Sequence, residues 1–261
     1  MQDKEIATGP DRASAAGKLS VLIPAYNEAD NLGATIRNIV EALEDAGITH
    51  EVLVVNDNST DGTEQQLAEL ETIFPTLRHF NNSPPNGFGL ALQTGLKHFC
   101  GDAVVIVMAD GSDDPHDVVA FWRKLAEGYD CVFGSRFMPG ASVVDYPLHK
   151  KVLNRLANNF IRMIFRIGYN DVTNAFKCYR REVITGLQPI LSHHFNLTVE
   201  LPLKVIIRGF SYAVVPTHWY NRKFGISKLR IREMGSRYLF IVLYCLIELW
   251  LSGGDYRSRR K

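Results

Sequence analysis

The sequence predicts an α/β fold with a mostly parallel central sheet and helices on both faces. Three observations predict it. Short apolar runs alternate with helical-period segments through the first 135 residues. Those runs are apolar at successive positions, as in strands covered on both faces. Acid- and amide-rich loops follow one strand after another, at the carboxyl ends where such sheets bind ligands. The chain's 261 residues are enough to bury a core of that size.

Each element has its own signal. Residues 18–24 (KLSVLIP) read as a first strand. In residues 31–47, Leu32, Ile36, Ile39, Val40 and Leu43 recur at helical spacing and Gly47 supplies a stop. HEVLVVN (50–56) reads as a second strand, and Asp61 to Phe74 as a helix with Leu67, Leu70 and Ile73 inward. A short strand at 77–80, a Pro-Asn-Gly turn and a helix over 89–99 come next. VVIVMA (104–109) reads as a central strand that delivers Asp110 at its carboxyl end, before a helix over 115–127 and a strand over 129–135. The second half is more helical. A basic, apolar helix is expected over 148–167, another over 197–208, and a strand at YAVVP (212–216).

Tyr238 to Leu251 is fourteen residues with one charge, Glu248. A membrane span needs about 20 apolar residues, so this stretch predicts a helix lying in a bilayer interface, with a core helix as the alternative. Charge agrees. Residues 222–261 hold ten Lys and Arg against Glu233, Glu248 and Asp255, while residues 1–221 hold 19 basic and 25 acidic groups. A basic tail on an acidic body suits an anionic surface. Residues 1–17 carry no apolar run and are expected to be a flexible arm, not a signal peptide. Cys100, Cys131, Cys178 and Cys245 are widely spaced without a CxxC pair, so buried free thiols and a reducing compartment are expected.

The chemistry is expected at the strand ends. PAYNEADN follows the first strand, NDNSTDGT the second, ADGSDDP the strand over 104–109, and GSRF the strand over 129–135. Asp61 and Asp114 each stand just ahead of a helix and read as caps. Asp57 and Asp110 close apolar strands on one edge and read as site residues. PAYNEADN contains no GxGxxG, which disfavours a dinucleotide dehydrogenase. The basic groups lie beside an apolar helix without interleaved exposed aromatics, so nucleic-acid binding is not expected. His149, His193, His194 and His218 show no metal-ligand spacing and read as packing or surface groups.

Seven segments in this order resemble the inverting family-two glycosyltransferases of the dolichol-phosphate mannosyltransferase and bacterial polyprenyl-phosphate glycosyltransferase group. They are PAYNE, VVNDNSTDGT, ADGSDDP, GSRF, YPLHKKVLNRLANN, DVTNAFKCYRR and VPTHWYNRKFGISKL. The resemblance covers about residues 18–235. It implies a GT-A type fold over 18–230, with a nucleotide-sugar half (18–135), an acceptor half (136–230), and a membrane-interface helix and basic tail over 231–261. It implies transfer of a hexose-type sugar from a nucleotide-diphosphate sugar to a polyprenyl phosphate, with inversion, at the cytoplasmic face of a membrane, by a peripheral or monotopic protein. A homo-oligomer or a membrane partner subunit stays open.

The resemblance also implies roles for residues. Pro24, Tyr26, Glu28, Asp57, Gly89 and Asp110 match positions that hold the nucleotide sugar. Arg136, Arg155, Arg222 and Lys228 match positions that bind the acceptor phosphate. Asp110, Arg136 and Asp171 are the candidate catalytic set, with the role of Asp171 open. A divalent ion, Mg²⁺ or Mn²⁺, is expected on Asp110 with Ser112 and Asp113. The acidic metal motif is incomplete here: Met108 and Ser112 stand where the family has Asp and Gln, and Asn56 also replaces an Asp. A thioether is a poor ligand for a hard cation. Two alternatives remain: transfer to a glycan or protein acceptor, and a non-catalytic nucleotide-sugar-binding subunit, which Met108 favours.

Overall fold

The computed structural model describes residues 17–222 and 231–258. Lys228 and nearly all of the predicted N-terminal arm lie outside the described residues. In chain order the elements are β1 (Leu19–Ala25), α1 (Ala29–Asp45), β2 (His50–Asn56), α2 (Thr63–Ile73), β3 (Leu77–Asn81), α3 (Phe88–His98), β4 (Ala103–Ile106), α4 (Pro115–Ala126), β5 (Cys131–Ser135), β6 (Ser142–Val144), α5 (Leu148–Phe165), β7 (Lys177–Arg180), α6 (Arg181–Gly186), α7 (Leu197–Ile207), β8 (Tyr212–Pro216), β9 (His218–Tyr220) and α8 (Ile231–Leu251).

Seven strands form the central sheet in the order β3-β2-β1-β4-β7-β5-β8. All neighbours are parallel except β7, which runs antiparallel between β4 and β5. β4 is therefore central, as expected, although it ends at Ile106 and Asp110 lies four residues beyond. Successive strand residues enter opposite layers. Leu22, Val104 and Phe133 pack with α3, α6, α7 and α8 on one face. Val21, Val105 and Val132 pack with α1, α2 and α4 on the other. Burying both faces is why β1, β4 and β5 are largely apolar, at about 1.5–3 kcal/mol for each large aliphatic side chain removed from water.

Two expectations about packing are corrected. Ile73 is 54% exposed, because α2 ends there and only Leu67 and Leu70 reach the core. Cys100 is exposed, on the loop before β4, while Cys131, Cys178 and Cys245 are buried free thiols.

The apolar C-terminal stretch has two faces. Ile241, Val242, Cys245 and Leu246 of α8 are buried in the body of the protein. Glu248 turns inward as well and meets the buried Arg208 of the α7 end at 2.7 and 2.9 Å. Leu239, Phe240, Leu243, Ile247, Trp250 and Leu251 are exposed. Among the described residues, no helix is long and apolar enough to cross a membrane.

Candidate active site

The loops after β1 and β2 are tied to each other. The Asn27 backbone N–H donates to the Ser59 hydroxyl at 3.0 Å, and the Thr60 N–H donates to Asn27 Oδ1 at 2.7 Å. Asn27 and Asn58 both take left-handed backbone, with φ of 51° and 57°, a conformation that asparagine tolerates better than most residues. Asp57, just past β2, accepts from Asn82 Nδ2 at 2.9 Å and from the Gly87 N–H at 2.7 Å. Its carboxylate thus fixes the turn before α3 above the end of the sheet.

A cavity of about 750 Å³ lies at this sheet edge. Pro24, Tyr26, Glu28, Asp57, Asp110, Ser112 and Asp113 line it, so both aspartates expected on one edge face one space. The lining also includes Leu153, Ala157 and Phe160 of α5 with Leu239 and Val242 of α8. Arg136, Lys150, Arg222 and Arg237 also line the cavity.

Asp110 is buried. Its Oδ1 accepts from the Ser112 N–H at 3.1 Å, and its Oδ2 meets Arg222 Nη2 at 2.6 Å. The same guanidinium lies 3.5 Å from Glu28 Oε1. Asp113 bends back, and its Oδ2 accepts from the Met108 N–H at 2.9 Å. Burial pushes the Asp113 carboxyl up to about 7, the Met108 bond pulls it down, and the Asp110 charge adds to the rise. Asp114 caps α4, as expected, accepting from the His116 N–H at 2.9 Å; the N-cap of α2 is Gly62 instead, and Asp61, one residue earlier, accepts from the Thr63 N–H at 3.0 Å.

Arg136, one residue beyond β5, is clamped by Asp171. Nε and Nη2 reach the two carboxylate oxygens at 2.8 and 2.9 Å, and the Arg136 backbone N–H donates to Oδ2 at 3.0 Å. Burial opposes the guanidinium charge, but the charge and hydrogen bonds of Asp171 outweigh it and hold Arg136 above its ordinary pKa. Asp171 is fully buried and is not on the cavity wall. It positions Arg136.

Two further candidates lie off the wall. Arg155 donates to the Asn170 carbonyl at 3.2 Å and stacks over the Phe137 ring at 4.6 Å. Gly89 packs against the chain at 192–194, where an added Cβ would fall 2.4 Å from the Ser192 carbonyl oxygen. Its smallness serves backbone packing between α3 and that segment. Conversely, Lys150, Arg237 and His194 line the cavity without having been singled out for it. The basic character of both helices was visible in the sequence. Which basic residue faces inward depends on how α5 and α8 pack.

The donor set does not suit a resident Mg²⁺ or Mn²⁺. One Asp113 oxygen is engaged by a backbone N–H, Met108 offers a thioether, and Asp110 is paired to a guanidinium. Among the described residues, no three His, Cys, Asp or Glu side chains converge as a metal site. Hard divalent ions want several oxygens.

A model described as glycosyl transferase family 2 matches residues 20–187. Polyprenol monophosphomannose synthase of Mycolicibacterium smegmatis is 31% identical over 242 residues, spanning 88% of this chain and 90% of that protein. Glycosyltransferase AglD of Haloferax volcanii is 31% identical over 239 residues, which is 88% of this chain but 38% of that longer protein. Glucosyl-3-phosphoglycerate synthase from Mycobacterium tuberculosis, solved with Mn²⁺, UDP and glucosyl-3-phosphoglycerate, superposes with a TM-score of 0.67 at 20% identity, covering 90% of this chain and 80% of that one. At that identity the likeness shows a shared fold.

Proposed function

The chain belongs to glycosyl transferase family 2, and from that premise we propose that it moves a sugar from a nucleotide-diphosphate sugar to a polyprenyl phosphate, with inversion at the anomeric carbon. The observation that carries this reading is the cavity itself: carboxylates from the loops after β1, β2 and β4 and apolar side chains of α5 and α8 line one space. A nucleotide sugar suits the loops that carry the carboxylates, and a prenyl chain suits the apolar helices.

The chemistry asks little of a general base. A phosphate monoester has a second pKa near about 6, so the acceptor oxygen is already a nucleophile at neutral pH. It attacks the anomeric carbon, the bond from that carbon to the diphosphate breaks, and the nucleoside diphosphate leaves with the electron pair. The protein must bring two anions together and stabilise the departing one. Arg136, held in place by Asp171, meets the acceptor phosphate together with Lys150 and Arg237. Arginine's planar fork matches phosphate oxygens.

The lipid would come from a membrane surface. Leu148, Val152, Leu156, Phe160 and Met163 of α5 are exposed at helical spacing, and α5 carries Lys150, Lys151, Arg155 and Arg162 with no acidic residue. Phe160 and Leu239 are both exposed and both line the cavity, so the cavity meets the outward faces of α5 and α8. On this reading the protein sits peripherally on the cytoplasmic face, with those helices in the headgroup layer.

Incubation with radiolabelled sugar nucleotides and polyprenyl phosphate tests the reading. It calls for an organic-extractable labelled product from at least one donor. Label that appears only in water-soluble glycan or protein, or no transfer at all, contradicts it.

A further inference from the structure

The position expected to hold a divalent ion is taken by a side chain. Arg222 Nη2 stands 2.6 Å from Asp110 Oδ2, and Nη1 stands 3.5 Å from Glu28 Oε1. All three side chains line the cavity, and the Arg222 side chain is 19% exposed.

The placement is built into the backbone. β9, just before Arg222, pairs with β6 in parallel. It is also laced to the Asp110 loop: the Tyr220 N–H donates to the Ser112 carbonyl at 2.9 Å, and the Asp114 N–H donates to the His218 carbonyl at 3.3 Å. The Asn221 N–H donates to the Val144 carbonyl at 3.2 Å. The chain therefore delivers Arg222 to the loop that carries Asp110.

A divalent ion and this guanidinium compete for one oxygen. A metal bound to Asp110 Oδ2 at about 2.0–2.1 Å would be a close neighbour of Nη2, and repulsion of like charges at such distances is severe. The remaining donors are a thioether, a carboxylate turned to a backbone N–H, the Ser112 hydroxyl, and Glu28, whose Oε2 accepts from Asn31 Nδ2 at 2.9 Å and whose Oε1 faces the same guanidinium.

We propose that Arg222 is the resident cation of the donor site, giving a bound nucleoside diphosphate the positive charge that a divalent ion gives in metal-dependent transferases, so that this chain binds its donor without metal. The inference rests on the nucleotide-sugar reading above. Glu28 and Asp110 act as positioning residues for the guanidinium, which keeps its charge at any working pH.

Calorimetric titration with UDP and GDP, in EDTA and in Mn²⁺, tests the proposal, with bound Mn²⁺ followed separately by electron paramagnetic resonance. At least one nucleotide is expected to bind the wild type in EDTA within about threefold of its affinity in Mn²⁺. Arg222→Gln is expected to weaken that binding by about tenfold or more in either buffer, and Arg222→Lys by less. Circular dichroism and thermal melting confirm that the variants fold. Nucleotide binding that needs Mn²⁺, with a protein-bound Mn²⁺ signal and no loss in Arg222→Gln, overturns the proposal while leaving the donor-site reading intact. No binding of either nucleotide in either buffer overturns both.

Discussion

Asp171 holds Arg136 through both carboxylate oxygens, 2.8 Å to Nε and 2.9 Å to Nη2, from behind the cavity wall. The carboxylate cannot touch a substrate in the cavity, so its contribution passes through the arginine. Replacing it leaves a buried guanidinium without its counter-charge, and breaking one side of such a pair costs about 3–5 kcal/mol. Asp171→Asn is expected to lower the urea midpoint and to lower kcat by about a hundredfold, with nucleotide affinity unchanged. Kinetics and calorimetry on the folded variant separate the two effects. A normal kcat in a merely less stable protein would make Asp171 structural only.

Lys177 gives a pH signature. It is buried, and its ammonium reaches the carbonyls of Val172 at 3.0 Å and Thr198 at 3.2 Å, with Asn174 close by. Burial pushes its pKa from 10.5 down to about 7, against the pull of Asp171. Between those values the native chain holds fewer protons than the unfolded one, so wild-type stability rises with pH across that window. The penalty is fully present below the lower value. Lys177→Met lacks the group, and the wild type should gain on the variant by up to about 1.4 kcal/mol per pH unit between pH 7 and 9.5. Urea unfolding of both proteins across that range measures it. A constant difference would mean that the carbonyl cage keeps Lys177 charged.

How far the sequence could be read depended on what each segment packs against. HEVLVVN was legible to the residue as β2, because burial on both faces leaves a continuous apolar run. Lys177–Arg180 (KCYR) was not read as a strand. Two of its four residues are cationic, and its apolar partners come from β4 and β5, which it joins antiparallel. Asp57 and Asp110 were legible as strand-end acids. The meeting of Arg222 with Asp110 was not, since it depends on β9 docking on the 112–114 loop. Glu248 looked like a stray charge in an apolar helix, and only the packing of α8 reveals Arg208 as its partner.

The exposed face of α8 yields a prediction about membranes. Phe240 and Ile247 are 60% and 57% exposed, and each apolar side chain moved out of water contributes about 1.5–3 kcal/mol. Co-sedimentation with vesicles containing anionic lipid is expected for the wild type, weakening as salt rises. Phe240→Glu with Ile247→Glu is expected to reduce vesicle binding by about tenfold or more while thermal stability holds. Equal binding by the double variant would remove α8 from the membrane account.

The account depends most on one space serving both substrates. Ala157 is exposed on α5 and lines the cavity from an element that carries none of Glu28, Asp57 and Asp110. The most direct measurement is steady-state kinetics of Ala157→Trp with polyprenyl phosphate varied, alongside calorimetric nucleotide binding. The account predicts a KM for the lipid raised by about tenfold or more, with the nucleotide Kd unchanged. An unchanged lipid KM in a folded variant would contradict it.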